Sequence, residues 1–419
     1  MSVTPDVGAR IERLYREEHG RIIAPLIRLL GDFARAEEVV QDAFEAALAQ
    51  WPEEGVPAEP RAWILRAARN KAIDRIRRSA RYRDKQAELT AVAAVEGAFA
   101  PSPDALLKDA LRDDLLRLVF TCCHPALAPD AQIALTLRTV CGLTTEEIAR
   151  AFLLDPRTMA QRIVRVQKKI AAAKIPYRVP EADELGARLE AVLHTLYLVF
   201  NEGYAASAGD ALVRHELCAE GLRLAELVAQ LLPDETEPKG LLALMLLTDA
   251  RRDARVGPDG ELVVLEEQDR TRWDHAAIAR ALPLVDASLA ARPPRAYALQ
   301  AAVAALHARA ARAADTDWRQ IAALYAIHAR VAPSPVVELN HAVAVAMAGD
   351  LAEGLRRIEA LDARGALARY HLLPAARADL LRRAGRFADA RRAYDDALAL
   401  ATNEVERRYL ARRREALPP

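Results

Sequence analysis

Residues 142–170 read GLTTEEIARAFLLDPRTMAQRIVRVQKKI, and this stretch decides which fold the sequence predicts. Thr144 and Glu147 have the spacing of a capping box, which predicts the start of a short helix. Asp155 and Pro156 then supply the N-cap and the first residue of a second helix. Two short helices joined by a tight turn are typical of a helix-turn-helix unit that binds DNA.

The second helix of this stretch divides into an apolar and a polar face. Apolar residues at helical spacing predict its buried stripe, which is Met159, Ile163, Val166 and Ile170. The polar face can enter a major groove, with its first residues near base edges and its later cations near phosphates. The candidate DNA contacts on this helix are Arg157, Thr158, Gln161, Arg162, Arg165 and Lys169. A purely structural helical hairpin is the alternative.

A second cationic segment reads RAWILRAARNKAIDRIRR at 61–78. Residues 61–85 contain ten Lys or Arg residues and two acidic residues. The predicted apolar stripe is Leu65, Ala68, Ala72 and Ile76. Another face carries Arg66, Asn70 and Arg77. Cations fix a protein on phosphates and an asparagine amide can discriminate a base edge, so this helix is a candidate to read nucleic acid. A solvated amphipathic helix is the alternative.

Residues 36–51, AEEVVQDAFEAALAQW, precede this segment. They predict an amphipathic helix with an acidic face and an apolar face, which binds a partner. The whole chain has 419 residues, of which 59 are basic and 59 acidic, so only local charge asymmetry indicates a polyanion partner. Nearly every segment has a helical period, and we predict an all-α fold. The predicted parts are domains at 10–85, 105–175 and 185–419, with a linker at 86–104.

The third part contains a hint of an internal repeat. Residues 347–361, MAGDLAEGLRRIEAL, and residues 383–401, RAGRFADARRAYDDALALA, begin alike at an offset of 36 residues. This offset is close to the tetratricopeptide spacing of about 34 residues, so we predict a partly regular array of helical hairpins. Residues 254–265, ARVGPDGELVVL, are the exception to the helical pattern and predict a small β-hairpin.

The segments at 36–51, 61–78 and 142–170 together resemble the extracytoplasmic-function sigma factors of bacteria, over about residues 10–175. Residues 185–419 are similar to the C-terminal extension of one subgroup, in which tetratricopeptide-like helices follow the DNA-binding domain. The resemblance implies a subunit that binds core RNA polymerase and promoter DNA and directs transcription initiation without bond chemistry of its own. It also implies a regulatory C-terminal domain, whose signal and whose anti-sigma or signalling partner stay open.

The resemblance assigns roles to individual residues. Those expected to contact the clamp of core polymerase are Glu37, Glu38, Gln41, Asp42 and Phe44. Those expected at the minus-ten element are Arg61, Trp63, Arg66, Asn70, Lys71 and Arg77, with Asn70 reading a base. The polar face of the helix that begins at Pro156 is expected to meet the minus-thirty-five element.

Other classes of function are not favoured. No GxxxxGK[ST], GxGxxG or GxSxG motif occurs, so we predict no enzyme and no cofactor. Cys122 and Cys123 point about 100° apart on a helix, and we predict no metal site. The apolar runs are too short to span a bilayer, so we expect a cytoplasmic protein without a membrane partner. The main alternative is a stand-alone helix-turn-helix regulator with a signal-binding repeat domain, against which the acidic helix at 36–51 argues.

Overall fold

The computed structural model describes residues 7–80, 104–152, 154–204 and 215–418, without the side chains of 76–80, 104–112 and 151. The chain divides into two compact units, Met1–Leu196 (unit 1) and Tyr197–Pro419 (unit 2). The predicted all-α fold is confirmed, because the described residues form helices and no strand. The predicted linker at 86–104 lies outside the described residues, except for Asp104.

Three helices form the first part of unit 1. They are α1 (Val7–Leu30), α2 (Phe33–Glu54) and α3 (Pro60–Ala80). The side chain of Asp32 caps the start of α2. Helix α2 continues through Pro52, so the chain is non-helical only at 55–59 between α2 and α3. The side chain of Trp51 is 2% exposed and holds the last turns of α2 on the core.

The described helices that follow in unit 1 contain the predicted helix-turn-helix. They are α4 (Asp104–Cys122), α5 (Pro129–Thr139), α6 (Thr145–Ala151) and α7 (Pro156–Ala172). Thr144 and Glu147 form the predicted capping box at the start of α6, and Asp155 caps α7. The buried residues of α7 are the predicted Met159, Ile163, Val166 and Ile170. Local capping and periodicity therefore position the polar face of α7.

The segment after α7 packs on the earlier helices of unit 1. The side chain of Ile175 is 9% exposed, and the Tyr177 hydroxyl donates a hydrogen bond to the carbonyl oxygen of Ala24 at 2.9 Å. Helix α8 (Ala182–Tyr204) follows this segment. The division between the two units falls within α8, after Leu196.

Unit 2 is a succession of helices in which neighbours in sequence mostly pack against each other. Its helices are α9 (His215–Leu231), α10 (Glu237–Asp249), α11 (Arg252–Arg255), α12 (His275–Ser288), α13 (Ala296–Arg309), α14 (Trp318–Val331), α15 (Pro335–Met347), α16 (Leu351–Ala363), α17 (Leu372–Arg383), α18 (Phe387–Leu400) and α19 (Glu404–Glu415), with short 3-10 helices at Arg270–Arg272 and Ala313–Asp315. None of the helices in the described ranges is long and apolar enough to cross a membrane.

The two repeat-like segments contain the same turn. Gly349 and Gly385 precede α16 and α18 with φ angles of +116° and +72°. After each glycine, the next backbone N–H donates to the carbonyl oxygen five residues earlier, at 3.2 Å for Asp350 and 2.9 Å for Arg386. Glycine adopts positive φ without steric penalty, which explains its recurrence at this offset.

The hairpin predicted at 254–265 is present only as a closed turn. One antiparallel bridge joins Val256 to Leu262. Gly260 forms the turn with a φ of +74°. A single bridge gives too few ladder hydrogen bonds for a strand, so the segment is a loop between helices.

Candidate nucleic-acid interface

Helix α7 presents most of its predicted polar face to solvent. The exposed residues are Arg157, Thr158, Gln161, Arg165 and Lys169. Arg162 is half-buried, and its Nη1 atom lies 3.4 Å from Oδ2 of Asp130. The Nζ atom of Lys169 donates to the carbonyl oxygen of Ala126 at 2.6 Å. The first turn of α7 is accessible, which suits a helix that meets base edges with its N-terminal residues.

Helix α3 exposes a second polar face. Arg66, Asn70 and Lys71 are exposed. The predicted buried stripe is confirmed at Leu65, Ala68 and Ala72, and Ile64 and Ile73 are buried as well. Arg66 and Asn70 lie one helical turn apart, so a cation and an amide share this face. The side chains of Ile76 and Arg77 lie outside the described residues.

Two other predicted minus-ten residues lie at the start of α3 and contact the protein. The Nη1 atom of Arg61 is 3.3 Å from Oε2 of Glu18 on α1. Trp63 is half-buried, and its ring packs edge-on against Trp51 at a centroid distance of 5.4 Å. In this conformation both side chains fasten α3 to its neighbours and are less accessible than Asn70.

The residues predicted to contact polymerase do not form one exposed patch on α2. Glu38 and Gln41 are exposed, and Asp42 is half-buried. Phe44 is 5% exposed and packs edge-on against Tyr15 at 4.9 Å, so its ring belongs to the core of this conformation. Glu37 is half-buried and faces α5 and α7, where it meets basic and amide groups.

Arg75 is a site residue that the sequence patterns did not single out. Its guanidinium contacts Glu38 and donates from Nη2 to Oδ2 of Asp42 at 2.9 Å. The pairing joins α3 to α2 and partly neutralises the acidic face. Glu38 and Asp42 lie on one helix and Arg75 on another, so no periodicity within a single segment could reveal the pairing.

Glu37 and Glu147 differ in how well neighbouring groups stabilise their negative charge. Burial raises the pKa of Glu37, and the Arg138 guanidinium and the Gln167 amide offset only part of this effect. Burial alone would also raise the pKa of Glu147, but hydrogen bonds from Thr144 and the Arg16 charge lower it overall. Ionised Glu37 is therefore the less well accommodated carboxylate.

The described part of the chain offers no candidate metal centre. No group of three or more His, Cys, Asp or Glu side chains there is placed to hold an ion. Cys122 and Cys123 are fully buried, and burial raises the pKa of both thiols, that of Cys123 to about 11. Thiols of this kind stay protonated near neutral pH and are poor metal ligands.

Comparison with known families places these surfaces in conserved domains. Residues 14–82 match sigma-70 region 2, residues 117–170 match sigma-70 region 4, and residues 188–289 match a family of unknown function, DUF6596. The uncharacterized protein R00370 of Rhizobium meliloti is 43% identical over 385 residues, which cover 92% of this chain and 90% of that protein. The chain belongs to the same family as R00370.

The domain matches show the general role of this family member. Sigma-70 regions 2 and 4 indicate an RNA polymerase sigma factor, a DNA-binding protein of transcription initiation. The extracytoplasmic-function sigma factor SigL of Mycobacterium tuberculosis is 44% identical over 79 residues, which are 18% of this chain and 44% of SigL. No solved structure matches the chain. Below, region 2 denotes residues 14–82 and region 4 denotes residues 117–170.

Proposed function

We propose that this sigma factor binds core RNA polymerase through α2 and directs it to promoters that α3 and α7 read. The main support is that the exposed polar faces of α3 and α7 lie within the two matched sigma-70 regions. Region 2 contains the exposed Arg66 and Asn70, and region 4 contains the exposed first turns of α7. Core polymerase and promoter DNA would be its partners in the cytoplasm.

The mechanism that we propose is coupling of binding to duplex opening. Cations of α3 and α7 would fix the protein on phosphates, while Asn70 and Gln161 supply groups that can discriminate bases. Binding to polymerase through Glu38, Gln41 and neighbouring residues would present both helices at once. The free energy of these contacts would offset the unpairing of the minus-ten element.

We further propose that residues from 185 onward form a tetratricopeptide-like regulatory domain. The succession of packed helices in unit 2 and the repeated glycine turn before α16 and α18 support this proposal. Stacked helical hairpins offer an extended surface to a peptide or protein, such as an anti-sigma or signalling protein. The alternative of a stand-alone regulator is less well supported, since such a protein does not need region 2.

Run-off transcription tests the proposal directly. The full chain, purified core polymerase and a genomic promoter library should yield discrete transcripts that require both proteins. Asn70→Ala should reduce transcription about tenfold at a promoter with the preferred base, because one base contact contributes about 1 to 3 kcal/mol. Asn340→Ala removes an exposed asparagine amide on α15, outside both sigma-70 regions, and serves as the matched control. DNA binding without any stimulation of core polymerase would instead support the stand-alone regulator.

A further inference from the structure

Three arginines of unit 2 lie near one another because a loop folds back on the turn before α11. We call Arg251, Arg255 and Arg270 the arginine cluster. Arg251 and Arg255 flank α11, and Arg270 begins the 3-10 helix of the loop. The backbone N–H of Asp274 donates to the carbonyl oxygen of Ala250 at 2.8 Å, which holds the loop beside the turn.

The charge of Arg251 acts on the other two arginines. Burial lowers the pKa of Arg270, the Arg251 charge lowers it as well, and Asp315 offsets only part of the effect. Burial also lowers the pKa of Arg255, where the Arg251 charge acts in the same direction. Arginine stays protonated in proteins, so like charges repel each other in a half-buried place.

Carboxylates around the arginine cluster pair with other groups. These pairs are Asp249 with Arg252, Asp315 with Arg312 and Glu406 with His371. Among the residues that the structure describes, no carboxylate forms an ion pair with Arg251, Arg255 or Arg270. The protein therefore gathers positive charge here without placing a negative charge against it.

Two aromatic rings orient the guanidinium groups of Arg255 and Arg270. The Cζ atom of Arg255 lies 4.2 Å from the ring centroid of Tyr204, and that of Arg270 lies 4.7 Å from the ring centroid of Trp273. The Nη1 atom of Arg270 donates to the carbonyl oxygen of Ala310 at 2.6 Å. Groups held in this way lose little conformational freedom when they bind a ligand.

Two buried N–H groups at this place have no partner among the described residues. They belong to Nε of Arg251 and to Nε1 of Trp273, a residue that is only 4% exposed. A buried donor without an acceptor costs free energy, as does a charge held beside like charges. Arg251 thus contributes repulsion to the described fold and no side-chain hydrogen bond. A ligand of opposite charge would explain why an arginine stands there.

We propose that the arginine cluster binds the phosphate group of a small ligand. A phosphate monoester carries about −1.5 to −2 charges near pH 7 and three acceptor oxygens, so it can accept from several of these donors at once. A carboxylate or a phosphodiester of nucleic acid carries a single charge and compensates less of the cluster. The inference depends neither on the binding of polymerase nor on the regulatory role of unit 2.

One substitution in the full chain tests the site. Arg251→Gln removes the charge that acts on both other arginines, and Arg330→Gln removes an exposed arginine of α14 as the matched control. Isothermal titration calorimetry near neutral pH, in a phosphate-free buffer, measures the binding of inorganic phosphate. A parallel titration with acetate at the same ionic strength tests the charge and shape of the anion. Thermal unfolding followed by circular dichroism compares the proteins without added anion.

The wild type and Arg330→Gln should bind inorganic phosphate, and Arg251→Gln should bind it at least about tenfold more weakly. Without phosphate, Arg251→Gln should unfold at the same temperature as the wild type or at a higher one, because no internal hydrogen bond is lost and repulsion is relieved. Phosphate that binds to the cations of α3 or α7 would remain in Arg251→Gln, so the difference between the two proteins isolates the site in unit 2.

Equal phosphate affinity of Arg251→Gln and the wild type would overturn the site. Binding of acetate as tight as that of phosphate would overturn the assignment to a phosphate group. A clearly lower unfolding temperature of Arg251→Gln would show that Arg251 stabilises the fold, and would overturn the argument from its uncompensated charge. These measurements contain no polymerase and no DNA, so none of their outcomes decides the proposed function.

Discussion

Asp114 shows how single residues hold unit 1 together. Its carboxylate pairs with Arg28 at 2.7 Å and with Arg117 at 2.8 Å, although only 3% of its side chain is exposed. A buried carboxylate is tolerated only when such partners compensate for lost hydration. Asp114 thus links α4 to α1 through charge as well as through packing.

Replacing Asp114 with Ala should lower the free energy of unfolding of unit 1 by about 3 kcal/mol, because Arg28 and Arg117 lose their shared partner. The value lies at the lower end of the range for broken buried pairs, since both arginines keep partial access to water. Urea denaturation of the full chain, with hydrogen exchange of α1 and α4, measures the effect. Asp113→Ala changes the exposed neighbour and should shift the midpoint little. A similar loss for both variants would contradict the role of the buried pair.

His307 should make the stability of unit 2 sensitive to acid. Burial, together with the nearby charges of Arg251 and Arg270, lowers the pKa of His307 to about 4. Its ring packs edge-on against Trp318 at 5.2 Å. The unfolded chain takes up this proton near pH 6.5, whereas the folded unit takes it up only near pH 4.

Unit 2 should therefore keep its full stability above about pH 7 and lose up to about 3 kcal/mol as the pH falls from about 6.5 to about 4. His307→Phe retains an aromatic ring and should flatten this dependence, measured as the urea midpoint at several pH values. His275→Phe changes an exposed histidine and should leave the slope unchanged. Burial also lowers the pKa of His328, so some slope should persist in His307→Phe. Identical slopes in the wild type and His307→Phe would contradict the assignment.

Among the helices, α7 is shaped partly by residues within and next to it and partly by contacts with distant parts of the chain. Its buried stripe and its Asp155 cap follow from residues within the helix and its preceding turn. Its polar face is less uniform, because Lys169 already contacts the Ala126 carbonyl while Gln161 is exposed on an earlier turn. The two residues should therefore differ in how they contribute to DNA binding.

Gln161→Ala should change which minus-thirty-five sequences are used, by about 1 to 3 kcal/mol for the lost base contact. Lys169→Ala should weaken all promoters alike and reduce the salt dependence by about one phosphate contact. Competition between promoter variants at several salt concentrations separates the two effects. A change of sequence preference in Lys169→Ala together with none in Gln161→Ala would show that α7 docks differently.

At the scale of the whole chain, the start of α8 is structurally part of unit 1. The Thr195 hydroxyl donates to Oε1 of Gln132 at 3.0 Å, and Gln132 Nε2 donates to the His124 carbonyl at 2.9 Å. Arg188 Nη2 donates to the carbonyl oxygen of Phe120 at 2.8 Å. A fragment meant to represent the sigma domains should therefore extend beyond α7.

A chain ended after Leu196 should fold with a higher thermal midpoint than one ended after Arg178, because the latter loses the Arg188 and Thr195 hydrogen bonds. Thermal unfolding followed by circular dichroism compares the two. If the C-terminal domain is regulatory, the longer fragment should also differ several-fold from the full chain in run-off transcription. Unchanged transcription by this stable fragment would argue against the regulatory role.

The sequence by itself determined the elements of this protein. Helical periods, the Thr144 to Glu147 capping box and the buried stripe of α7 were all predictable, because each depends on residues a few positions apart. The exposure of Asn70 on α3 follows from the same local spacing. The offset between Gly349 and Gly385 likewise located a repeated turn, since positive φ selects glycine.

Only the tertiary structure decided how accessible the predicted site residues are. Phe44 is buried by Tyr15, and Glu37 is covered by Arg138 and Gln167. The tertiary structure also decided where the chain divides into two units. This division lies within α8 and not at a break in the sequence pattern. Tyr15 and Phe44 lie on separate helices, and Gln167 lies 130 positions from Glu37. Pairs of this kind leave no signal in the spacing of any one segment.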